Sequence, residues 1–66
     1  MYEFFLSLFR QSDKSSITVI ATASDLNPAI NTAEARYPGY KVQTWFLMSD
    51  FISYKPNGDE EYITVE

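Results

Sequence analysis

The sequence contains no cysteine and no histidine. Without cysteine there is no disulfide, no thiolate metal site and no cysteine nucleophile. Without histidine the commonest general base and the commonest metal ligand are missing, and no histidine is present to activate a serine hydroxyl. Small domains compensate for a thin core with disulfides, metals or oligomerisation. We therefore expect no cofactor, no metal site and no enzymatic activity, and we expect a domain that binds a partner or a second copy of itself.

Basic residues are also scarce. Five lysines and arginines stand against nine acidic residues, which gives a net charge of −4. Nucleic-acid affinity comes largely from basic side chains, so this balance disfavours a nucleic-acid partner. No apolar run reaches the length of a membrane-spanning helix. Glu3 stands where a signal peptide carries positive charge, and no small-residue cleavage site follows. We expect a cytoplasmic protein with no membrane contact.

What the sequence does have is aromatic residues, at 17% of a chain of 66 residues. Such a chain is one domain, residues 1–66, and a domain this small buries only about 60% of its unfolded surface. Residues 40–54 concentrate the aromatic and β-branched side chains and contain no proline or glycine, which predicts one long strand. Strand alternation places Tyr40, Val42, Thr44, Phe46, Met48 and Ile52 on one face, and Lys41, Gln43, Trp45, Leu47 and Phe51 on the other. Ser49 and Asp50 mark a bulge or bend, because the run exceeds the usual strand length.

Three further strands and one helix are predicted around that run. Residues 2–10 and 16–22 form a β-hairpin, and residues 61–66 fold back on the second half of the long strand after a turn at 55–59. Pro28 fits only the first turn of a helix, and Pro38-Gly39 ends it. The possible N-caps are Ser24, Asp25 and Asn27, and the apolar face is Leu26, Ala29, Ile30, Ala33 and Tyr37.

The element order is therefore β-β-α-β-β, an α+β fold. The simplest arrangement is a single four-stranded, mostly antiparallel sheet in the order 2-1-3-4, with the helix on one face. The first strand is then central, in agreement with its two largely apolar faces.

The segment 17–42 resembles the small host RNA-polymerase inhibitors of T7-type phages. The matching residues are Ala33, Glu34, Tyr37, Pro38, Gly39, Tyr40 and Val42. In that family the strand carries arginines just after the aromatic-x-Val step and the helix surface is strongly acidic. Here Thr44 and Phe46 stand at those strand positions, and on the helix surface Asn27, Pro28 and Asn31 leave only Glu34 acidic. The resemblance implies a phage-encoded protein that inhibits or modulates a host protein, such as RNA polymerase or a defence factor.

The helix is expected to cover the face of Val42, Phe46 and Met48. The opposite face would then be an exposed aromatic, partner-binding surface formed by Phe5, Phe9, Ile20, Trp45, Leu47 and Phe51. In the alternative interpretation the sheet curls and the C-terminal hairpin covers part of this face. The partner is a host protein or a second copy of the chain, through this face or through the uncharged edge strand 16–22.

The last eight residues of the sequence contain several carboxylates: the run Asp59-Glu60-Glu61, and Glu66. It is either a solvated turn that keeps the protein soluble, or a functional surface that mimics nucleic acid or contacts a basic host protein. The sequence leaves both interpretations open.

Overall fold

A computed structural model describes residues 1–51 and 53–65. Within these residues the chain forms four strands, one α-helix and one short 3-10 helix. The elements are β1 (Tyr2–Arg10), β2 (Ser15–Ala23), α1 (Leu26–Arg36), β3 (Tyr40–Leu47), the 3-10 helix Met48–Asp50 and β4 (Glu61–Thr64). The predicted positions of Ile52 on the long strand and of Glu66 in the acidic end lie outside the described residues.

The α+β fold class is confirmed, with one four-stranded sheet in the order β3-β1-β2-β4. β1 is central, as predicted, and pairs antiparallel with both β2 and β3. The position of β4 differs from the predicted order, because it runs parallel to β2 from Val19 to Thr22 instead of pairing with β3. No described helix is both long and apolar enough to cross a membrane.

Helix α1 begins and ends where local chemistry dictates. The Asp25 carboxylate accepts the backbone N–H of Leu26 at 2.7 Å, which caps the first turn. At the other end Tyr37 donates its N–H to the Ala33 carbonyl at 3.0 Å. Gly39 then turns the chain with φ of 87°, a conformation that side chains with a Cβ rarely adopt, and a Cβ there would lie 3.1 Å from Arg10 Cδ.

The hydrophobic core lies between α1 and one face of the sheet. Alternate residues of β1 and β2 point towards the helix, as the period of a strand requires. The buried core consists of Phe4, Leu6, Leu8, Val19, Ala21, Ala23, Ala29, Ala33, Ile63 and Val65. Small alanines on both helix and sheet allow α1 to pack closely, and we call this side of the sheet the helix face.

The predicted long strand ends earlier than residue 54. β3 stops at Leu47, and the 3-10 helix Met48–Asp50 turns the chain away from the sheet. Phe51 and Tyr54 then lie against the face of the sheet opposite the helix, which we call the far face, and β4 pairs with the outer edge of β2. This path of the chain explains why β4 lies beside β2 and parallel to it.

Candidate protein-binding surfaces

The middle of the far face is covered by the segment that follows β3. Phe5 of β1 and Phe46 of β3 stack with ring centroids 4.4 Å apart. Phe51 packs on Phe46 at 4.3 Å, and Tyr54 meets the edge of Phe5 at 5.2 Å. These four side chains form what we call the aromatic cluster, and through it the segment after β3 closes over the middle of the far face.

The buried carboxylate of Glu60 holds this covering segment in place through hydrogen bonds. Glu60 is only 9% exposed and accepts hydrogen bonds from the Tyr54 hydroxyl at 2.5 Å and from the backbone N–H groups of Asn57 and Gly58 at 3.2 and 3.1 Å. The Tyr54 hydrogen bond is the main cause of the lowered pKa of Glu60, and burial opposes it. The same bond, with burial and the Glu60 charge, raises the pKa of Tyr54 to about 12. The hydrogen bond stabilises the neutral phenol and the charged carboxylate together, which accounts for the raised pKa of Tyr54 and the lowered pKa of Glu60.

The predicted binding residues do not share one uncovered face, so that part of the prediction is wrong. Ile20 is 1% exposed and unable to reach a partner. Phe5 and Phe9 lie on the far face and are half-buried. Phe51 is 50% exposed but belongs to the aromatic cluster. The alternative interpretation, in which the C-terminal part of the chain covers this face, comes closer, although the covering element is an irregular segment and not a hairpin.

Trp45 and Leu47 lie on the helix face, because β3 contains a bulge. Ser7 pairs with Thr44 while Leu8 pairs with Val42, so Gln43 is an extra residue in the ladder. Beyond it the side chains change faces. Phe46 therefore pairs with Phe5 on the far face, contrary to the prediction that it contacts the helix. The sequence signal was the switch of large apolar residues from even positions (Tyr40, Val42) to odd ones (Trp45, Leu47).

This switch creates an apolar groove beside the first turn of α1. The groove has a volume of about 410 Å³ and is lined by Tyr2, Phe4, Asp25, Leu26, Trp45 and Leu47. We call it the Trp45 groove. Trp45 is 46% exposed and Tyr2 is 55% exposed, and the Trp45 ring contacts the Phe4 ring edge-on at a centroid distance of 6.3 Å. A large aromatic ring that is held from below and exposed above is typical of interface anchors.

The groove adjoins the outer edge of β3, on which no described strand pairs. One backbone donor of this edge is capped within the chain, since Val42 donates its N–H to the Glu34 carboxylate at 3.0 Å. Alternation along an antiparallel ladder turns the backbone groups of Trp45 and Leu47 outward as well. The Trp45 groove is thus bordered by a strand edge that another chain can extend.

No protein-family model matches the chain, and neither a curated protein nor a solved structure matches it. Its function therefore has to be inferred from the geometry of these surfaces.

Proposed function

We propose that this chain is a non-enzymatic protein-binding domain whose contact surface is the Trp45 groove. The observation that carries the proposal is the contrast between the two faces of the sheet. On the far face Ile20 is buried and the stacked rings of Phe5 and Phe46 are half-buried under the segment after β3, whereas Trp45, the single tryptophan, is 46% exposed above buried Phe4. Tryptophan and tyrosine are the residues most enriched among interface hot spots, together with arginine.

The mode of binding that fits this surface is strand addition at β3. An extended segment of the partner pairs with the outward backbone groups near Trp45 and Leu47, which supplies main-chain hydrogen bonds. Alternate side chains of that segment then point to the helix face and fill the groove between Trp45 and Leu26. The volume of about 410 Å³ accommodates one or two large apolar side chains.

We propose that the partner is a host protein and that the chain is a phage-encoded inhibitor or modulator acting in the host cytoplasm. The resemblance of residues 17–42 to the polymerase inhibitors of T7-type phages supports this class of partner. Because Thr44 and Phe46 replace the arginines of that family, the contact differs from the family's own. The Trp45 groove, whose tryptophan lies between these two positions, takes over the role of the contact surface.

Affinity capture with matched variants tests the proposal. Immobilised wild type, Trp45→Ala and Tyr62→Ala are incubated with bacterial lysate and, separately, with purified bacterial RNA polymerase. Tyr62 is the control, because it is an exposed aromatic residue (61%) on β4, away from the groove. We expect a partner that Trp45→Ala loses and Tyr62→Ala keeps. Equal recovery of the same proteins by all three baits contradicts the groove as the contact surface.

A homodimer is the second candidate, favoured by the open edge of β3. Two copies related by a twofold axis can pair their β3 strands antiparallel and bring their Trp45 grooves together. Sedimentation equilibrium at micromolar concentrations distinguishes the two candidates. A monomer at all concentrations rules out the homodimer, and a dimer that Trp45→Ala dissociates supports it.

A further inference from the structure

The outer edge of β2 is only half covered by its neighbour. β2 extends over Ser15–Ala23, but the pairing with β4 covers Val19 to Thr22. The first half of β2 therefore has no strand beside it among the described residues. A cleft of about 600 Å³ occupies this position and contains Ser16, Ile17 and Thr18 in its wall. The cleft therefore lies where a strand in line with β4 would pair with the first half of β2.

The backbone of β2 presents hydrogen-bonding groups to this cleft. Val65 donates its N–H to the carbonyl of Thr22 at 2.7 Å, so Thr22 directs its backbone groups away from β1. Every second residue of a strand paired in this way does the same. Thr18 and Ser16 therefore turn their N–H and C=O groups towards the cleft. An edge of this kind is a template for an added strand.

Aromatic side chains flank the edge on both sides of the sheet. Tyr37 and Tyr40 line the cleft from the helix side, where the Tyr40 hydroxyl is fixed by a hydrogen bond of 2.7 Å with Ser15 Oγ. Tyr54 lines it from the far side, held by Glu60. A strand laid between them meets phenol rings on both of its faces, and such rings attract cations as well as apolar groups.

The charge of the cleft is one-sided. Asp59, Glu60 and Glu61 line the end where β4 begins, whereas none of the described lining residues is a lysine or an arginine. Glu60 is already occupied by three donors, and Glu61 is approached by the Tyr37 hydroxyl at 3.5 Å. Among the described residues the carboxylates do not converge into a metal-binding group. Asp59 and Glu61 form no ion pair among the described residues, so the charge of the cleft favours a ligand that brings its own cation along with an extended backbone.

We propose that the cleft is a second docking site, which binds an extended basic peptide as a short strand against Ser16 and Thr18. The open half of β2 accommodates about four residues, or roughly 13 Å of extended chain. One lysine or arginine side chain of the peptide reaches Asp59 and Glu61. Residues on one face of the peptide pack on Tyr37, and residues on its other face pack on Tyr54. This site is separate from the Trp45 groove and does not depend on the function proposed for that groove.

Binding of a synthetic peptide tests the site. The probe is the capped hexapeptide Thr-Val-Lys-Val-Lys-Thr, and the control peptide has both lysines replaced by glutamate. NMR titration follows the backbone amides, and hydrogen exchange measures their protection. We expect the lysine peptide alone to bind, with shifts and slower exchange at Ser16 and Thr18. Binding of both peptides alike, no shift up to millimolar concentration, or shifts without protection at Ser16 and Thr18 overturns the proposal.

Matched variants separate this site from other acidic surface. The double change Asp59→Asn and Glu61→Gln is expected to weaken binding of the lysine peptide about tenfold or more. The double change Glu3→Gln and Asp50→Asn removes the same amount of charge elsewhere and should leave the affinity within about twofold. Equal weakening by both pairs means non-specific attraction and contradicts the proposal. Trp45→Ala should bind the peptide as tightly as the wild type does. The peptide experiment therefore tests the cleft even if the Trp45 groove proves not to be a contact surface.

Discussion

Phe5 and Phe46 stack across β1 and β3 with their ring centroids 4.4 Å apart and their planes 10° from parallel. The stack exists because the bulge at Gln43 places Phe46 on the far face, directly opposite Phe5. Tyr54 then stands edge-on to Phe5 at 5.2 Å. The middle of the far face is thus covered by the chain itself, and the exposed aromatic side chain of β3 is Trp45 on the helix face.

The first prediction concerns stability. Phe46→Ala removes the centre of the aromatic cluster and should lower the free energy of unfolding by about 2 kcal/mol, somewhat less than for a fully buried phenylalanine. Trp45→Ala removes a half-exposed ring and should cost less than about 1 kcal/mol. Urea unfolding followed by circular dichroism measures both. A larger loss for Trp45→Ala than for Phe46→Ala contradicts this arrangement of the two faces.

The second prediction concerns alkaline pH. The hydrogen bond to Glu60, with burial and the Glu60 charge, raises the pKa of Tyr54 from its ordinary value of 10.0 to about 12. A raised pKa means that the protonated phenol stabilises the fold below pH 10, and that this stabilisation is lost as the pH rises from about 10 to about 12. Phenol absorbance should show a transition near pH 12 that Tyr54→Phe abolishes. Tyr2→Phe is the control and should retain it, because Tyr2 is exposed and takes no part in raising the pKa of Tyr54.

The third prediction concerns acidic pH and the other member of this pair. The hydrogen bond from Tyr54 lowers the pKa of Glu60 below its ordinary value of 4.5. A lowered pKa means that the carboxylate stabilises the fold above about pH 4.5, and that this contribution is lost as the pH falls through the folded-state pKa. Glu60→Gln should therefore be less stable than wild type at pH 7, with the difference shrinking in acid. The control Glu3→Gln changes an exposed carboxylate and should preserve the wild-type response to acid. A difference for Glu60→Gln that stays constant with pH contradicts the assignment.

The fourth prediction concerns the edge of β3. Glu34→Ala removes the acceptor for the Val42 N–H and leaves the edge open at that point. The Val42 amide should exchange faster, and association through β3 should increase, because an uncapped edge is a template for pairing. Lys41→Ala is the control, because Lys41 makes only an exposed ion pair with Glu34 at 3.9 Å, and its loss should have little effect. Equal exchange rates at Val42 in wild type and Glu34→Ala would contradict this capping role.

The parts of the fold that the sequence predicted are those with local causes. The hairpin of β1 and β2 follows from two strand-like runs around a polar turn. The helix follows from the Asp25 cap, Pro28 in the first turn and Gly39 at the exit. The central place of β1 follows from its two apolar faces. Each of these signals lies within a few residues of the structure that it specifies.

The parts that were not predicted depend on contacts distant in sequence. A single extra residue at Gln43 reverses every later side chain of β3, and uniform alternation along 40–54 conceals that reversal. The path after Leu47 is fixed by Tyr54 meeting Phe5 and Glu60, and neither contact has a sequence signature. The candidate site therefore retains Trp45 and Leu47 from the predicted surface but joins them to Tyr2, Phe4 and Leu26.

Acrylamide quenching of Trp45 tests the role of the groove most directly, because the chain contains one tryptophan. We expect the free protein to be quenched efficiently and equally at all concentrations, since Trp45 is 46% exposed. Adding the protein recovered by affinity capture, with that protein's own tryptophan emission subtracted, should lower the quenching constant of Trp45 severalfold and shift its emission to the blue. Tyr62→Ala should give the same change. Stable complex formation with unchanged quenching would show that the partner binds elsewhere and would contradict the Trp45 groove as the contact surface.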